Sequence, residues 1–256
     1  MKIIEPSVET WTQEAGVQGL YDHIERCARV CYRSENKGNV TSEEFVNSLI
    51  KRGDMRPLEF GTIRFEAKTL PLREIDVHAS PYVRHSLNYA GEVDCVVTNL
   101  RWLVEHVDEW ECWLKKYGYW KDDFQPSKLR PTLHWHISRG IADEFRTHVS
   151  LSSLMESTRF VNYEKKGLEF VYPTWCVGDG TFTDTLDLLE RRYNQMIKEG
   201  MQPQQAREVL PLCTATHLVQ CGFKSAWLNF FKQRTNKSAH PDAQRIAKRA
   251  EWLLGL

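Results

Sequence analysis

The sequence predicts an α+β fold, and three observations predict this class. Helical periods and two-residue alternations follow one another along the 256 residues without the regular strand–helix alternation of a doubly wound sheet. The chain contains neither G-x-G-x-x-G nor a Walker loop, the usual cradles for dinucleotides and triphosphates. Its 41% hydrophobic content allows a sizeable core. We find no repeat and no linker, so we expect one domain over residues 1–256.

The N-terminal half combines helical periods with one clear alternation. Thr41–Glu44 has the T-x-x-E pattern of a capping box, which marks the start of a helix, and Gly53 marks its end. GTIRFEA at 61–67 alternates apolar and polar side chains, which is typical of a strand. These patterns predict helices over 18–31, 41–53 and 99–114, a strand over 61–67 and an irregular excursion over 70–92.

The C-terminal half contains more helix than strand. PTLHWHIS at 131–138 alternates with period two, and Pro241 opens a terminal helix at its first turn. The serine-rich segment 150–163 predicts a loop that re-enters a helix or a strand. The remaining patterns predict a short strand over 169–172, helices over 138–149, 182–199, 204–209 and 223–234, and a weak alternation over 214–218.

Charge and cysteine content limit the classes of partner. The formal net charge is zero, so no basic excess indicates a nucleic-acid polymer, although a mononucleotide needs only a few arginines. The sequence has no apolar stretch typical of a signal peptide or a membrane span. The seven cysteines are scattered, and only Cys27 and Cys31 are spaced for one helix face. We therefore expect reduced cysteines, no metal site and a cytoplasmic protein.

Polar side chains that suit a phosphate or a base carbonyl crowd the segment 145–160. Ser157 and Arg159 are two residues apart, so in an extended segment their side chains point the same way. A hydroxyl beside a guanidinium can bind a phosphate or a carbonyl. From composition alone, a polar helix end with solvated arginines explains the same pattern.

ESTRFVNY at 156–163 resembles the E-S-x-R-Y signature of the flavin-dependent thymidylate synthases. Other segments match that family in the same order along the chain: MKIIEPSVE at the start, IERCARVCYRSE at 24–35, LIKRG at 49–53, Pro57–Glu59, Ala206–Pro211, Leu228–Phe231, Arg234 and Ala239–Asp242. The ordered set spans nearly the whole chain and is more specific than any one short motif.

The resemblance implies the fold of the thymidylate synthase complementing proteins, with an antiparallel sheet and flanking helices. It implies a homotetramer with active sites at subunit junctions. It also implies reductive methylation of dUMP to dTMP with FAD, NADPH and methylenetetrahydrofolate, in which hydride from the flavin rather than a cysteine activates the uracil.

The resemblance also assigns site residues. Arg234 matches the arginine that polarises the uracil ring, and its charge would stabilise the ring oxygen as C5 becomes nucleophilic. The implied substrate-binding residues are Glu144, Glu156, Ser157, Arg159, Arg207 and Arg234. The implied cofactor-binding residues are Glu59, Thr147, His148, Val149, Asn229 and His240.

The family's arginine–histidine–arginine motif is altered in this chain. Thr147, His148 and Val149 occupy it, so both guanidiniums are missing, and Asp54 stands where the family has a histidine. A lost charged hydrogen bond costs about 1.5–3 kcal/mol, so we expect FAD binding to be weak or lost while dUMP binding persists. Two alternatives to the family reaction stay open: a different C5 chemistry such as hydroxymethylation, and nucleotide binding without catalysis.

Overall fold

A computed structural model describes residues 1–34, 40–66, 80, 82–87, 89, 93–121 and 124–256 of the chain. Its strands are β1 (Lys2–Ile4), β2 (Ser7–Trp11), β3 (Thr62–Glu66), β4 (Arg84–Leu87), β5 (Val93–Asn99), β6 (Thr132–Ser138), β7 (Ser152–Met155), β8 (Glu169–Val171) and β9 (Ala215–Cys221). Its α-helices are α1 (Gly16–Arg29), α2 (Ser42–Arg52), α3 (Leu100–His106), α4 (Trp110–Tyr117), α5 (Pro126–Leu129), α6 (Arg139–Arg146), α7 (Tyr163–Lys166), α8 (Gly180–Lys198), α9 (Pro203–Ala206), α10 (Lys224–Arg234) and α11 (Pro241–Leu254).

The strands form two antiparallel sheets and one parallel pair. The larger sheet has the order β2-β6-β9-β7, and the smaller has the order β3-β5-β4. These sheets confirm the predicted α+β class and its antiparallel pairing. The β1–β8 pair departs from the prediction, because its two strands run parallel.

The larger sheet buries one face against helices. Trp135 on β6 is fully buried, and its ring centroid lies 4.9 Å from Phe145 of α6 and 5.9 Å from Phe230 of α10. Because side chains alternate across a strand, His134 and His136 project from the opposite face. The two-residue period of PTLHWHIS therefore predicted the strand correctly, and the structure shows which of its faces is buried.

A second core joins α1, α2 and the smaller sheet. The predicted capping box is present, since Thr41 accepts from the amide of Glu44, and Gly53 ends α2 at a φ of 73°. A Cβ at Gly61 would lie 2.5 Å from Cδ1 of Ile24 and 2.6 Å from Cδ1 of Leu20. Glycine at this position lets the chain before β3 pack directly on α1.

The predicted helix over 99–114 is wrong as one element. Asn99 ends β5 and caps α3, where its side chain accepts from the amide of Trp102. The chain leaves the helix at Val107, which is extended and buried in the second core, and α4 starts only at Trp110. Burial of Val107 therefore overrides the helical period of the sequence.

Three further segments refine the predictions. The serine-rich segment contains β7, and the weak alternation over 214–218 is the start of β9. The excursion over 70–92 contains β4, whereas 70–79, 81, 88 and 90–92 lie outside the described residues. Among the residues that the structure describes, no helix has the length and hydropathy needed to span a membrane.

Candidate functional site

Ser157 begins a tight turn directly after β7. Its amide donates to the carbonyl oxygen of Cys31 across 2.9 Å, and its own carbonyl accepts from the amide of Val161 across 3.0 Å. The Ser157 hydroxyl accepts from the amide of Arg159 across 3.3 Å. The backbone of this turn is therefore fixed at both ends, while Arg159 is exposed at its tip.

Two predicted substrate arginines meet at this turn. Arg207 begins a short 3-10 helix, and its Nη1 donates to the hydroxyl of Thr158 across 3.3 Å. Arg159 lies with its guanidinium 5.3 Å from the ring centroid of Phe160. Among the described residues, Arg159 forms no ion pair within 4.0 Å. The turn thus carries a cation available to an anionic ligand.

A cavity of ≈ 410 Å³ opens beside Ser157, within the range of about 300–1,000 Å³ that is typical of small-molecule sites. We call it the Ser157 cavity; its lining includes Cys31, Tyr32, Asp54, Ser157 and Phe160. The rings of Tyr32 and Phe160 are 5.4 Å apart and both are more than half exposed. The cavity offers exposed aromatic surface, a hydroxyl and a nearby guanidinium, which are suitable groups for a nucleotide.

Glu156, the residue before this turn, is buried instead of lining the cavity. Only 1% of its surface is exposed, and burial raises the pKa of its carboxyl group. The guanidinium of Arg33 lies 3.9 Å from its carboxylate and 3.8 Å from that of Glu169. Glu156 is therefore held in the interior beside Arg33, and its role as a substrate-binding residue stays a prediction.

Arg234 is bonded to the C-terminal turn of α6. Its Nε donates to Nε2 of His148 across 2.9 Å, and its Nη1 donates to the carboxylate of Glu144 across 3.1 Å. Its Nη2 donates to the Glu144 carbonyl oxygen at 2.7 Å and to the Thr147 hydroxyl at 3.0 Å. A cation is favoured at a helix C-terminus, so charge and geometry both hold Arg234 there. We call these four residues the Arg234 cluster.

His148 is a neutral hydrogen-bond acceptor in this cluster. Burial and then the charge of Arg234 lower its pKa to about 4. Val149, in contrast, is 99% exposed, and its side chain has no hydrogen-bond donor or acceptor. Thr147 to Val149 therefore contribute no positive charge at neutral pH. Arg146 does not replace the missing arginines at this point, because it is exposed and pairs with Asp143 at 3.6 Å.

A second cavity, of about 330 Å³, lies next to the Arg234 cluster. We call it the His240 cavity; its lining includes Ser138, Glu144, Trp175, His240 and Asp242. Within the described residues, Nδ1 of His240 is buried without a hydrogen-bond partner. The ring of Trp175 lies 5.3 Å from that of His240. This cavity thus brings together Glu144 and His240, which are 96 positions apart in sequence.

The other two predicted cofactor residues lie apart from both cavities. Glu59 is 4% exposed and its carboxylate accepts from Nη1 of Arg101 at 2.7 Å, which explains its burial without a ligand. Asn229 is exposed on α10, where its side chain accepts from Gln233 at 3.3 Å. Within one protomer, the predicted site residues therefore divide between the Ser157 cavity, the Arg234 cluster and separate positions.

The sequence interpretation missed two features of the surroundings. Tyr32 had no assigned role, although its aromatic ring borders the Ser157 cavity. His134, His136 and His217 form a stacked row across β6 and β9 that we call the histidine face, with ring centroids 5.1 and 4.1 Å apart. The H-x-H spacing at 134–136 could have indicated that two of them share one face.

Comparisons with known proteins extend over the part of the chain that carries these residues. Residues 129–253 match the family described as thymidylate synthase complementing protein, a range that includes every predicted substrate residue and leaves out Glu59. A flavin-dependent thymidylate synthase from Pyrobaculum aerophilum is 31% identical over 112 residues, which is 43% of this chain and 43% of that protein. The chain thus matches less than half the length of this relative.

A solved structure of low similarity was also found. The UMP/dUMP methylase PolB from Streptomyces cacaoi, bound with 5-Br UMP, has a TM-score of 0.46 and 12% identity to this chain. The match covers 98% of this chain and 90% of that one. Similarity at this level establishes neither a shared site nor a shared activity.

Proposed function

Because the chain is a distant homologue of the thymidylate synthase complementing protein family, we propose that it binds a pyrimidine deoxynucleotide of the dUMP class and modifies it at C5. The finer form of this proposal is the reductive methylation of dUMP to dTMP. The cosubstrates in that form are methylenetetrahydrofolate and NADPH, the cofactor is FAD, and the compartment is the cytoplasm.

The turn at Ser157 is the observation that carries the proposal. Ser157 supplies a hydroxyl, Arg159 a guanidinium that has no ion pair among the described residues, and Arg207 a second cation that bonds to Thr158 and pairs with Glu208. Charge-assisted hydrogen bonds from arginine are the usual contacts to phosphate. We assign the nucleotide phosphate to this turn.

The aromatic wall of the Ser157 cavity supports a position for the base. Tyr32 and Phe160 expose 52% and 57% of their surfaces, and large exposed rings next to a cation suit a stacked heterocycle. We assign the pyrimidine ring to this wall of the cavity.

Arg234 is proposed to polarise the uracil ring, as the resemblance implies. Its contacts in the Arg234 cluster leave one N–H of Nη1 that no described residue accepts. No residue of the Arg234 cluster lines the Ser157 cavity, and the family resemblance implies active sites at subunit junctions. We therefore propose a homotetramer in which the turn of one protomer faces the cluster of another.

The residues present do not fit a flavin pyrophosphate within one protomer. His148 is neutral and Val149 is apolar, so the altered motif supplies no cation, and Asp54 lines the Ser157 cavity together with Arg29 and Arg52. The unpartnered Nδ1 of His240 is the one predicted cofactor group with an unused polar atom at a cavity wall. We propose that FAD binds weakly or not at all, and this favours nucleotide binding without reductive chemistry as the second candidate function.

Two measurements test the proposal and separate these candidates. Calorimetric titration with dUMP should give saturable binding, and failure to bind dUMP at millimolar concentration would remove the nucleotide proposal. Tritium release from dUMP labelled at C5, with FAD, NADPH and methylenetetrahydrofolate present, reports activation of that carbon. Binding without release would select the non-catalytic candidate.

Flavin fluorescence quenching tests the cofactor separately. We expect little quenching for the parent chain and more for a triple variant carrying Asp54→His, Thr147→Arg and Val149→Arg. Tight, stoichiometric FAD binding by the parent would overturn the proposed loss and return the chain to ordinary thymidylate synthase chemistry.

A further inference from the structure

The exposed end of the histidine face has a feature that the proposed function does not use. His136 on β6 and His217 on β9 are direct cross-strand partners, and Glu169 of β8 lies beside them. One ligand atom from each of these three residues lies within 4.8 Å of the other two. Nε2 of His136 is 3.2 Å from Oε2 of Glu169. All three side chains are only partly buried, so solvent reaches them.

A chain of hydrogen bonds fixes which nitrogen of His217 carries its proton. Nδ1 of His134 lies 2.9 Å from the carboxylate of Glu9, which makes Nδ1 the donor. In a neutral ring, a proton on Nδ1 leaves Nε2 of His134 as an acceptor. Nε2 of His134 is 3.0 Å from Nδ1 of His217, which must therefore donate. Nε2 of His217 keeps its lone pair as a result.

This bonding pattern is typical of a metal-ligating histidine. Such a residue usually donates its second ring nitrogen to a carboxylate, a carbonyl or a water, which fixes its orientation and tautomer. Here the donation passes from His217 through His134 to Glu9.

The two carboxylate oxygens of Glu169 have different charged neighbours. Oε1 accepts from Nζ of Lys2, whereas Oε2 faces His136 and lies 3.8 Å from Nη2 of Arg33. Oε2 is thus the oxygen that can join the imidazole nitrogens. Two ligand atoms at about 2.0–2.2 Å from a tetrahedral zinc ion are about 3.3–3.6 Å apart, so side-chain rotations would have to bring the three residues closer together.

We propose that His136, Glu169 and His217 bind a divalent first-row transition metal ion, with zinc as the reference ion and one coordination position open to water. Two imidazoles and one carboxylate are a donor set for zinc and its neighbours, and they leave such a position. This site is independent of the nucleotide proposal. It borders the Ser157 turn, since the carbonyl oxygen of His217 accepts from the amide of Glu156 across 2.9 Å.

The test uses the full chain without an affinity tag, titrated with zinc chloride by calorimetry. We expect one ion per chain for the parent. His136→Ala, His217→Ala and Glu169→Gln should each weaken binding by at least about tenfold. His106→Ala, an exposed histidine on α3, is the matched control and should bind as the parent does. Parent binding that is absent, or unchanged in both histidine variants, would overturn the proposal.

Two further measurements keep the test decisive if a ligand variant unfolds. Cobalt added to the parent chain should give the visible absorption of a site with nitrogen ligands, and its absence would contradict the site. His134→Gln leaves all three ligands in place but removes the imidazole between His217 and Glu9. It should weaken zinc binding by about 10–100-fold, the usual effect of losing an outer-shell partner. Unchanged affinity in a folded His134→Gln chain would exclude the proposed role of that hydrogen-bond chain.

Discussion

Arg234 donates from Nε to Nε2 of His148 across 2.9 Å, and this bond joins the end of α10 to the end of α6. Because the histidine accepts, it must be protonated on Nδ1 alone and therefore carries no charge. The guanidinium beside it and the surrounding burial both oppose a second proton. His148 is the one residue of the altered motif that matches the family. It accepts a hydrogen bond from Arg234 and therefore supplies no positive charge for a phosphate.

Arg159→Ala should weaken dUMP binding by about 1.5–3 kcal/mol, the range for a hydrogen bond to a charged group. Arg159 is exposed, and the substitution removes a cation from the Ser157 turn without disturbing its backbone bonds. Calorimetry measures the affinity. Arg191→Ala on α8 is the control, because Arg191 is likewise exposed and bonds only to a backbone carbonyl among its described contacts. Equal affinity in both variants would place the phosphate elsewhere.

His148→Gln should reduce the loss of stability at acid pH. The folded-state pKa of His148 is about 4, below the unfolded value of about 6.5. The unfolded chain binds more protons between these values, so stability falls as the pH drops through that window. Glutamine keeps an acceptor for Arg234 but cannot be protonated. Urea unfolding at about pH 7 and about pH 5 compares the variant with the parent.

The control for this comparison is His106→Gln, which also replaces a histidine with glutamine but lies exposed on α3. We expect the control to lose as much stability as the parent on acidification. If His148→Gln loses as much as the control, titration of His148 does not contribute to the acid sensitivity of the fold.

Thr147→Arg and Val149→Arg should differ in stability although both add an arginine to the same motif. Thr147 donates to the Glu144 carbonyl oxygen at 2.7 Å and accepts from Arg234, so its replacement breaks both bonds and adds a like charge. We expect a cost of about 0.5–1.5 kcal/mol per lost bond. Val149 is 99% exposed, so its replacement should change stability by less than about 0.5 kcal/mol. Equal urea midpoints would contradict the role of Thr147.

Light scattering should give a mass four times that of one chain. Large apolar side chains remain exposed in the C-terminal half, among them Trp175, Val177, Leu188, Leu212 and Trp252. We expect subunit contacts to bury some of these side chains, and closed symmetric assemblies are the usual oligomers. A monomer at working concentration would contradict a site shared between subunits.

Local chemistry made several elements predictable. The capping box depends on two residues three positions apart, Thr41 and Glu44, and the structure confirms it. The helix end at Gly53 depends on the positive φ of a single residue, and it is confirmed as well. The strand over 131–138 was equally clear, because one buried face gives a strict two-residue period. The interruption at Val107 was not predictable in the same way, since its extended conformation depends on burial against distant elements.

The sequence by itself determined the α+β class, the order of the longer helices after residue 138, and the family resemblance carried by segments such as 156–163, because each depends on residues close together in the chain. Only the tertiary structure decided which of the predicted site residues meet. Arg234 reaches the end of α6 across 90 positions, Arg207 reaches Thr158 across 49, and Glu59 is held by Arg101 across 42. It also joined Glu9, His134 and His217 into one hydrogen-bond chain. Such contacts depend on sheet register and helix packing. These set the distances between side chains that are far apart in sequence, and no local pattern of residues predicts them.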